Sequence, residues 1–223
     1  MQCVKTTRTK ISLFSTALIL FLTINTFAQG DYKKFKFENA YVKKITTSKM
    51  TGVEIETIQE IYIANYGKLI ATYQTEKRNI TMANMVEESK SVTIVDGVWS
   101  TTYDPETKTG TKIKLDMAEK FSKMSEGDIQ KMAEQLKQST NTETEDIGTK
   151  VIAGQTCTGT KATTNMMGMK NVSEIWMFEG FVMESNSTGS GVDVKEKVEK
   201  FILGADYDKT KLKVPSDVAI EEI

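Results

Sequence analysis

Hydrophobic and polar residues alternate along much of the chain. Val53-Glu-Ile55 and Ile61-Tyr-Ile63 read as a strand with apolar odd positions, and Asn65-Tyr-Gly67 marks a turn. Lys68–Tyr73 returns as a second strand. Ser91–Val95 and Val98–Tyr103 flank Asp96-Gly97, a strong hairpin signal that predicts a type I′ turn. After the turn Asp104–Gly110, a strand resumes over Thr111–Leu115. This half reads as an antiparallel meander.

The period then changes. Leu115–Met124 and Glu126–Gln138 are rich in helix formers. Ile129, Met132, Ala133 and Leu136 fall on one face of a helix, with Ser125 as the expected N-cap. Ser139–Asp146 reads as a polar loop. Strands return at Lys150–Ala153 and Thr156–Thr163, and Val172–Phe178 pairs with Phe181–Glu184 around Glu179-Gly180. Asn165–Asn171 and Ser185–Gly191 read as loops, whereas Val192–Leu203 fits either a helix or a strand. No repeat of fixed period occurs. A helical stretch between two β-rich halves with short linkers predicts one α+β domain.

The first 28 residues read differently. Lys5, Arg8 and Lys10 precede the apolar run Leu13–Ile24, and Thr26-Phe-Ala28 supplies a small residue for cleavage. That order predicts a signal peptide, too short to span a bilayer, removed after Ala28. Periplasmic or secreted localisation follows. Removing 28 of 223 residues leaves 195, expected to form a single β-rich domain over 29–223. The leader takes three basic residues, so 26 Lys+Arg remain against 30 Asp+Glu. This balance lacks the basic excess of a nucleic-acid binder, and no nucleic-acid partner is expected. Cys3 leaves with the leader, so Cys157 has no partner for an intramolecular disulfide.

Candidate chemistry is sparse. The chain has no His, which excludes Ser-His-Asp triads and His-containing zinc sites. Cys157 is either a nucleophile without its usual base or a small buried hydrophobe. Met166, Met167 and Met169 cluster, and Met82 and Met85 are spaced as a second pair. Thioethers can bind Cu(I), but they also fill irregular gaps or line adaptable apolar sites. Carboxylate pairs such as Glu87-Glu88 and Glu221-Glu222 read as solvated faces. No nucleophile–base pair or phosphate loop emerges, so no enzyme and no cofactor is expected.

The stretch Ile94-Val-Asp-Gly-Val-Trp-Ser-Thr-Thr-Tyr-Asp-Pro-Glu-Thr-Lys-Thr-Gly110 resembles the outer-membrane lipoprotein carrier (LolA-like) superfamily. Ile152-Ala-Gly-Gln-Thr-Cys157, Glu174-Ile-Trp176 and Val214-Pro-Ser-Asp-Val218 resemble a secreted branch of that fold seen in Bacteroidetes-type bacteria. The resemblance implies a strongly curved antiparallel sheet, an incomplete barrel, with a helical segment packed over its apolar concave face. It also implies a hydrophobic ligand, a lipid or acyl chain. In such a concavity Tyr62, Trp99, Tyr103, Ile113, Trp176 and Phe178 are the expected lining, with Met132 and Leu136 as a helical lid. Trp99 and Trp176 are equally compatible with ordinary core packing. The expected protein is a monomeric binder of a hydrophobic small molecule or lipid. The alternatives are an envelope interaction protein without ligand, whose partner is another envelope protein, and a methionine-based copper binder.

Overall fold

The computed structural model describes residues 33–115, 126–166, 169–189 and 191–223. The leader and the stretch 116–125, with the expected N-cap Ser125, lie outside the described residues. The first half of the chain contributes β1 (Ala40–Met50), β2 (Val53–Ala64), β3 (Leu69–Ile80), β4 (Met85–Asp96), β5 (Trp99–Asp104) and β6 (Thr109–Lys114). Helix α1 (Glu126–Ser139) follows. The second half contributes β7 (Thr142–Ile152), β8 (Gln155–Met166), β9 (Met169–Phe178), β10 (Phe181–Gly189), β11 (Val192–Leu203) and β12 (Ala219–Glu222).

All twelve strands form one sheet in the order β12-β6-β5-β4-β3-β2-β1-β11-β10-β9-β8-β7. Each half is a meander, and antiparallel pairing of β1 with β11 joins them. Among the described residues only β12 is parallel to its neighbour, β6. Val192–Leu203 is therefore a strand. Its apolar residues share one strand parity only in part, because a bulge opposite Lys43/Lys44 inserts an extra residue. Three polar stretches expected as loops extend strands instead: β7 begins at Thr142, β8 reaches Met166, and β10 continues to Gly189. Cross-strand hydroxyl pairs support these extensions, Thr142 with Thr164 at 2.9 Å and Ser173 with Ser187 at 2.8 Å.

The expected incomplete barrel does not form. The sheet is open, with β12 and β7 at opposite edges, and it is not strongly curled. Nor does the helix cover a concave face. It immediately precedes β7 and packs chiefly against that edge strand. The physical reason is the topology. β6 and β7 lie near opposite edges of the strand order, and the helix precedes β7 at the far edge.

Strand alternation then divides the apolar residues between two faces. On β1 and β2, Ala40, Val42, Ile61 and Ile63 belong to one core, together with Cys157, Phe181, Met183, Val198 and Phe201. The intervening Tyr41 and Tyr62 point the other way and join Ala71, Val92, Ile94 and Tyr103 in a second core. The segment before β1 covers the first core with Phe35 and Phe37. The segment after β11 covers the second with Tyr207, Leu212, Val214, Val218 and Ile220.

The turns follow from backbone sign. Ile152 pairs with Gln155 and Phe178 with Phe181, so Ala153-Gly154 and Glu179-Gly180 are two-residue loops. All four residues have positive φ, as a type I′ turn requires. The Asp96-Gly97 hairpin differs from expectation. Asp96 pairs with Trp99, so Gly97 and Val98 form the loop, and only Gly97 has positive φ. That is the type II′ pattern, with glycine at the first central position.

Candidate functional site

The residues from Gly204 onward form a strap over the second core. Tyr207 anchors it: its hydroxyl donates to the Ile63 carbonyl at 2.5 Å, and its ring meets that of Tyr62 at 5.3 Å. A 3-10 turn over Lys209–Leu212 follows, capped by Asp208, whose side chain accepts from the Thr210 amide at 2.9 Å. Hydrogen bonding to Thr210 holds the Asp208 carboxyl below its usual range. The strap ends as β12, pinned by Lys108 to Asp217 at 2.5 Å and Lys112 to Glu222 at 2.9 Å. The Lys108 contact likewise lowers the Asp217 carboxyl.

Beneath the strap lies a row of tyrosines drawn from successive strands. Tyr41 and Tyr62 are direct cross-strand partners with centroids 5.3 Å apart, and Tyr62 meets Tyr73 edge-on at 5.6 Å. Their hydroxyls are engaged. Tyr62 donates to Glu60 at 3.3 Å, and Tyr73 donates to the Lys211 carbonyl at 3.0 Å. Tyr73 and Tyr103 are also hydrogen-bond partners. Burial, reinforced by Glu60, pushes the Tyr62 phenol up to about 12. Burial, reinforced by Tyr103, does the same for Tyr73, to about 12. Both are neutral phenols at physiological pH.

The strap leaves a groove of about 800 Å³ between itself and the sheet. On the sheet side it is lined by Ile58, Tyr73, Val92 and Tyr103 interleaved with Glu60, Thr75 and Lys90, and the strap side contributes Val214, Pro215 and Val218. Lys90, Lys108, Lys211 and Lys213 stand along it, with Glu60, Asp208 and Asp217. This is an open cleft of mixed lining, in which aromatic and aliphatic surface alternates with charged side chains.

The expected lining residues do not converge on one cavity. Tyr103 lines the groove, and Tyr62 is buried just beneath the strap. Trp99 shares strand parity with Tyr103 but lies outside the groove, with the Lys112 ammonium 4.3 Å from its ring centroid. Ile113 is exposed on the alternate side of β6. Trp176 and Phe178 pack on the first core instead. Phe178 meets Phe201 edge-on at 5.7 Å. The Trp176 ring crosses Gly159 so closely that a Cβ there would fall 2.6 Å from it. Met132 is half-buried on α1, whose strand partner β7 lies at the opposite end of the sheet from β5. The side chain of Leu136 lies outside the described residues.

Sequence reasoning missed Ile58, Tyr73 and the strap. One signal was present: Val214-Pro-Ser-Asp-Val218 supplies four groove residues, Val214, Pro215, Asp217 and Val218. Tyr73 was also legible, because it shares parity with Ala71 on β3.

The remaining candidates resolve plainly. Cys157 is fully buried, donates to the Gln155 carbonyl at 3.4 Å, and burial pushes its thiol up, so it is a core hydrophobe and not a thiolate nucleophile. Met82 and Met85 are exposed on the sheet margin. The side chains of Met166, Met167 and Met169 lie outside the described residues. Among the described residues no group of three or more His, Cys, Asp or Glu is placed to hold a metal ion.

No protein-family profile and no curated protein matches the chain. Solved structures show likeness in fold over most of its length. An uncharacterized conserved protein from Thermus thermophilus is 10% identical at a TM-score of 0.47, covering 94% of this chain and 99% of that one. MucB, solved in complex with MucA(peri), is 10% identical at a TM-score of 0.47, with 94% of this chain matching 62% of that one. A putative outer membrane lipoprotein-sorting protein domain from Vibrio parahaemolyticus is 7% identical at a TM-score of 0.35, covering 87% and 95%. At such identities and TM-scores these likenesses leave the family of this chain open, and none singles out a Bacteroidetes-type branch.

Proposed function

We propose that the exported chain, freed of residues 1–28, is a non-enzymatic binding protein that takes a hydrophobic ligand into the groove between the tyrosine row and the C-terminal strap. The groove itself carries this reading. Its volume of about 800 Å³ falls within the roughly 300–1,000 Å³ of small-molecule sites. Ile58, Tyr73, Val92 and Tyr103 give it apolar and aromatic surface, and charged side chains stand among and around them. The Tyr73 hydroxyl is engaged by the Lys211 carbonyl, which ties the groove's sheet side to the strap. The leader-like order of Lys5, Arg8, Lys10, the apolar run and Ala28 supports a periplasmic or secreted setting.

A second reading also has an observation behind it. The strap already fills much of this face with Tyr207, Leu212, Val214, Val218 and Ile220. A protein whose sheet is filled by its own side chains would serve as an envelope interaction protein without ligand.

Calorimetric titration with 1-monolaurin, kept below its aggregation threshold, separates the two. Saturable binding that weakens in Val214→Glu, with the fold of that variant intact by circular dichroism, supports the groove. Absence of binding to the wild type leaves the interaction protein as the better reading.

A further inference from the structure

We infer that the groove selects a single-chain amphiphile with an anionic head, held at the strap by Lys211 and Lys213; this rests on the groove being the binding site. The inference comes from which charges along the groove are already engaged. Lys90 reaches Glu106 at 3.0 Å, and Lys108 reaches Asp217 at 2.5 Å. Of the carboxylates, Asp208 caps the strap's own 3-10 turn, and Glu60 accepts from the Tyr62 hydroxyl. Asp217 is held by Lys108. The acidic groups are therefore committed to structure.

Lys211 and Lys213 are different. Both line the groove and both are exposed; Lys211 helps to hold the Asp208 carboxyl low, but no close ion pair joins either lysine to a carboxylate among the described residues. The Lys211 ammonium sits 4.9 Å from the Tyr73 ring centroid, at the border between the aromatic floor and solvent. Val214 and Pro215 follow Lys213 directly and present apolar surface to the same space. Two cations beside an apolar cleft match a ligand whose chain enters the cleft while its charged head stays at the lip. A neutral lipid would leave both lysines without a function in binding. A bulky zwitterion would bring a second cation against them.

Carboxylate and phosphate heads share this chemistry, so the experiment includes both. Laurate, lauroyl lysophosphatidic acid and neutral 1-monolaurin are titrated calorimetrically into the wild-type protein and into Lys211→Met/Lys213→Met. Exposed ion pairs are individually weak, so the two anions should bind about three- to tenfold tighter than monolaurin. Added salt should narrow the gap. In the double variant the gap between the anions and monolaurin should close, whatever the absolute affinity for monolaurin. Preference for lysophosphatidic acid alone would assign a phosphate head, and preference for both anions would assign negative charge as the selected feature. Equal affinity of laurate, lysophosphatidic acid and monolaurin in the wild type overturns the charge selection but leaves the groove standing. A gap that survives the double substitution also overturns it. Failure of all three to bind removes the groove reading and this inference together.

Discussion

Replacing Tyr207 tests whether the strap is part of the cooperative core or an appendage laid upon it. The side chain makes two separable contributions. Its hydroxyl donates to the Ile63 carbonyl at 2.5 Å, and its half-buried ring packs edge-on against Tyr62 at 5.3 Å. Tyr207→Phe keeps the ring and removes the hydrogen bond, a net loss of about 1 kcal/mol. Tyr207→Ala also removes the aromatic pair, worth about 1 kcal/mol, and part of the apolar burial, worth about another. The expected totals are about 1 kcal/mol for Phe and about 3 kcal/mol for Ala. At a urea slope of about 2 kcal/mol per M, the midpoint should fall by about 0.5 M and about 1.5 M, with the slope unchanged.

Urea unfolding followed by tryptophan fluorescence reads the global transition. Amide exchange at Ala219 and Ile223 reads the strap itself, because their N–H groups donate to the Lys108 and Lys112 carbonyls. Equal midpoints for Phe and Ala would show that the ring contributes nothing. An unmoved midpoint in the Ala variant with faster exchange at those two amides would show that the strap detaches locally. The second result refutes its place in the cooperative core, and the first refutes the contribution of the aromatic pair.

The other expectations concern buried groups. Cys157→Ser should destabilise the fold by about 1–2 kcal/mol by thermal unfolding, because a hydroxyl is costlier to bury than a thiol even with the Gln155 carbonyl 3.4 Å away; ligand binding should be unchanged, and loss of binding in a normally folded variant would restore a role for the thiol. Tyr62 and Tyr73 are both raised from 10.0 to about 12 in the fold. Their stabilising contribution is therefore complete below pH 10 and lost as pH rises towards 12. Ultraviolet titration should show these two phenols ionising after the others, and ordinary titration of all seven tyrosines would contradict the buried row.

How much of this was legible in the sequence depended on what each residue reports. Alternation in Val53–Ile63 and the glycines at Gly154 and Gly180 located strands and turns, because period and positive φ are local properties. The polar ends of β7, β8 and β10 were not legible. Their Thr and Ser residues pair hydroxyl to hydroxyl across strands, and the partner lies 22 positions away for Thr142 and 14 for Ser173. β1 was missed for a related reason. Its Lys44 looks solvent-facing in sequence, yet it meets Glu196 of β11 at 3.2 Å with only 15% of its side chain exposed. The candidate site failed differently. Of the large aromatics on strands, Trp176 and Tyr103 face inward to different cores, and Trp99 joins neither.

The division into two cores explains why the groove lies where it does. A sheet buried on one face needs one cover, whereas alternating Tyr41, Val42, Ile61 and Tyr62 make β1 and β2 apolar on both. Each face is covered by the nearest irregular segment, Phe35 and Phe37 on one side and the strap on the other. These covers differ in chemistry. The phenylalanine cover is stacked, with Phe35 and Phe37 centroids 5.1 Å apart, and it closes over Phe181 and Phe201. The strap carries lysines at alternate positions, Lys209, Lys211 and Lys213, and bends at Pro215. It therefore touches the tyrosine row at intervals, through Tyr207, Leu212, Val214 and Val218, instead of sealing it. The floor between those contacts keeps little exposure, Val92 at 2% and Tyr103 at 4%, and the Tyr73 hydroxyl ties it to the strap through the Lys211 carbonyl. An all-aliphatic floor of the same area would favour closure by the strap. The phenol at Tyr73 instead holds the strap by a directed contact, and the groove lies beside that contact.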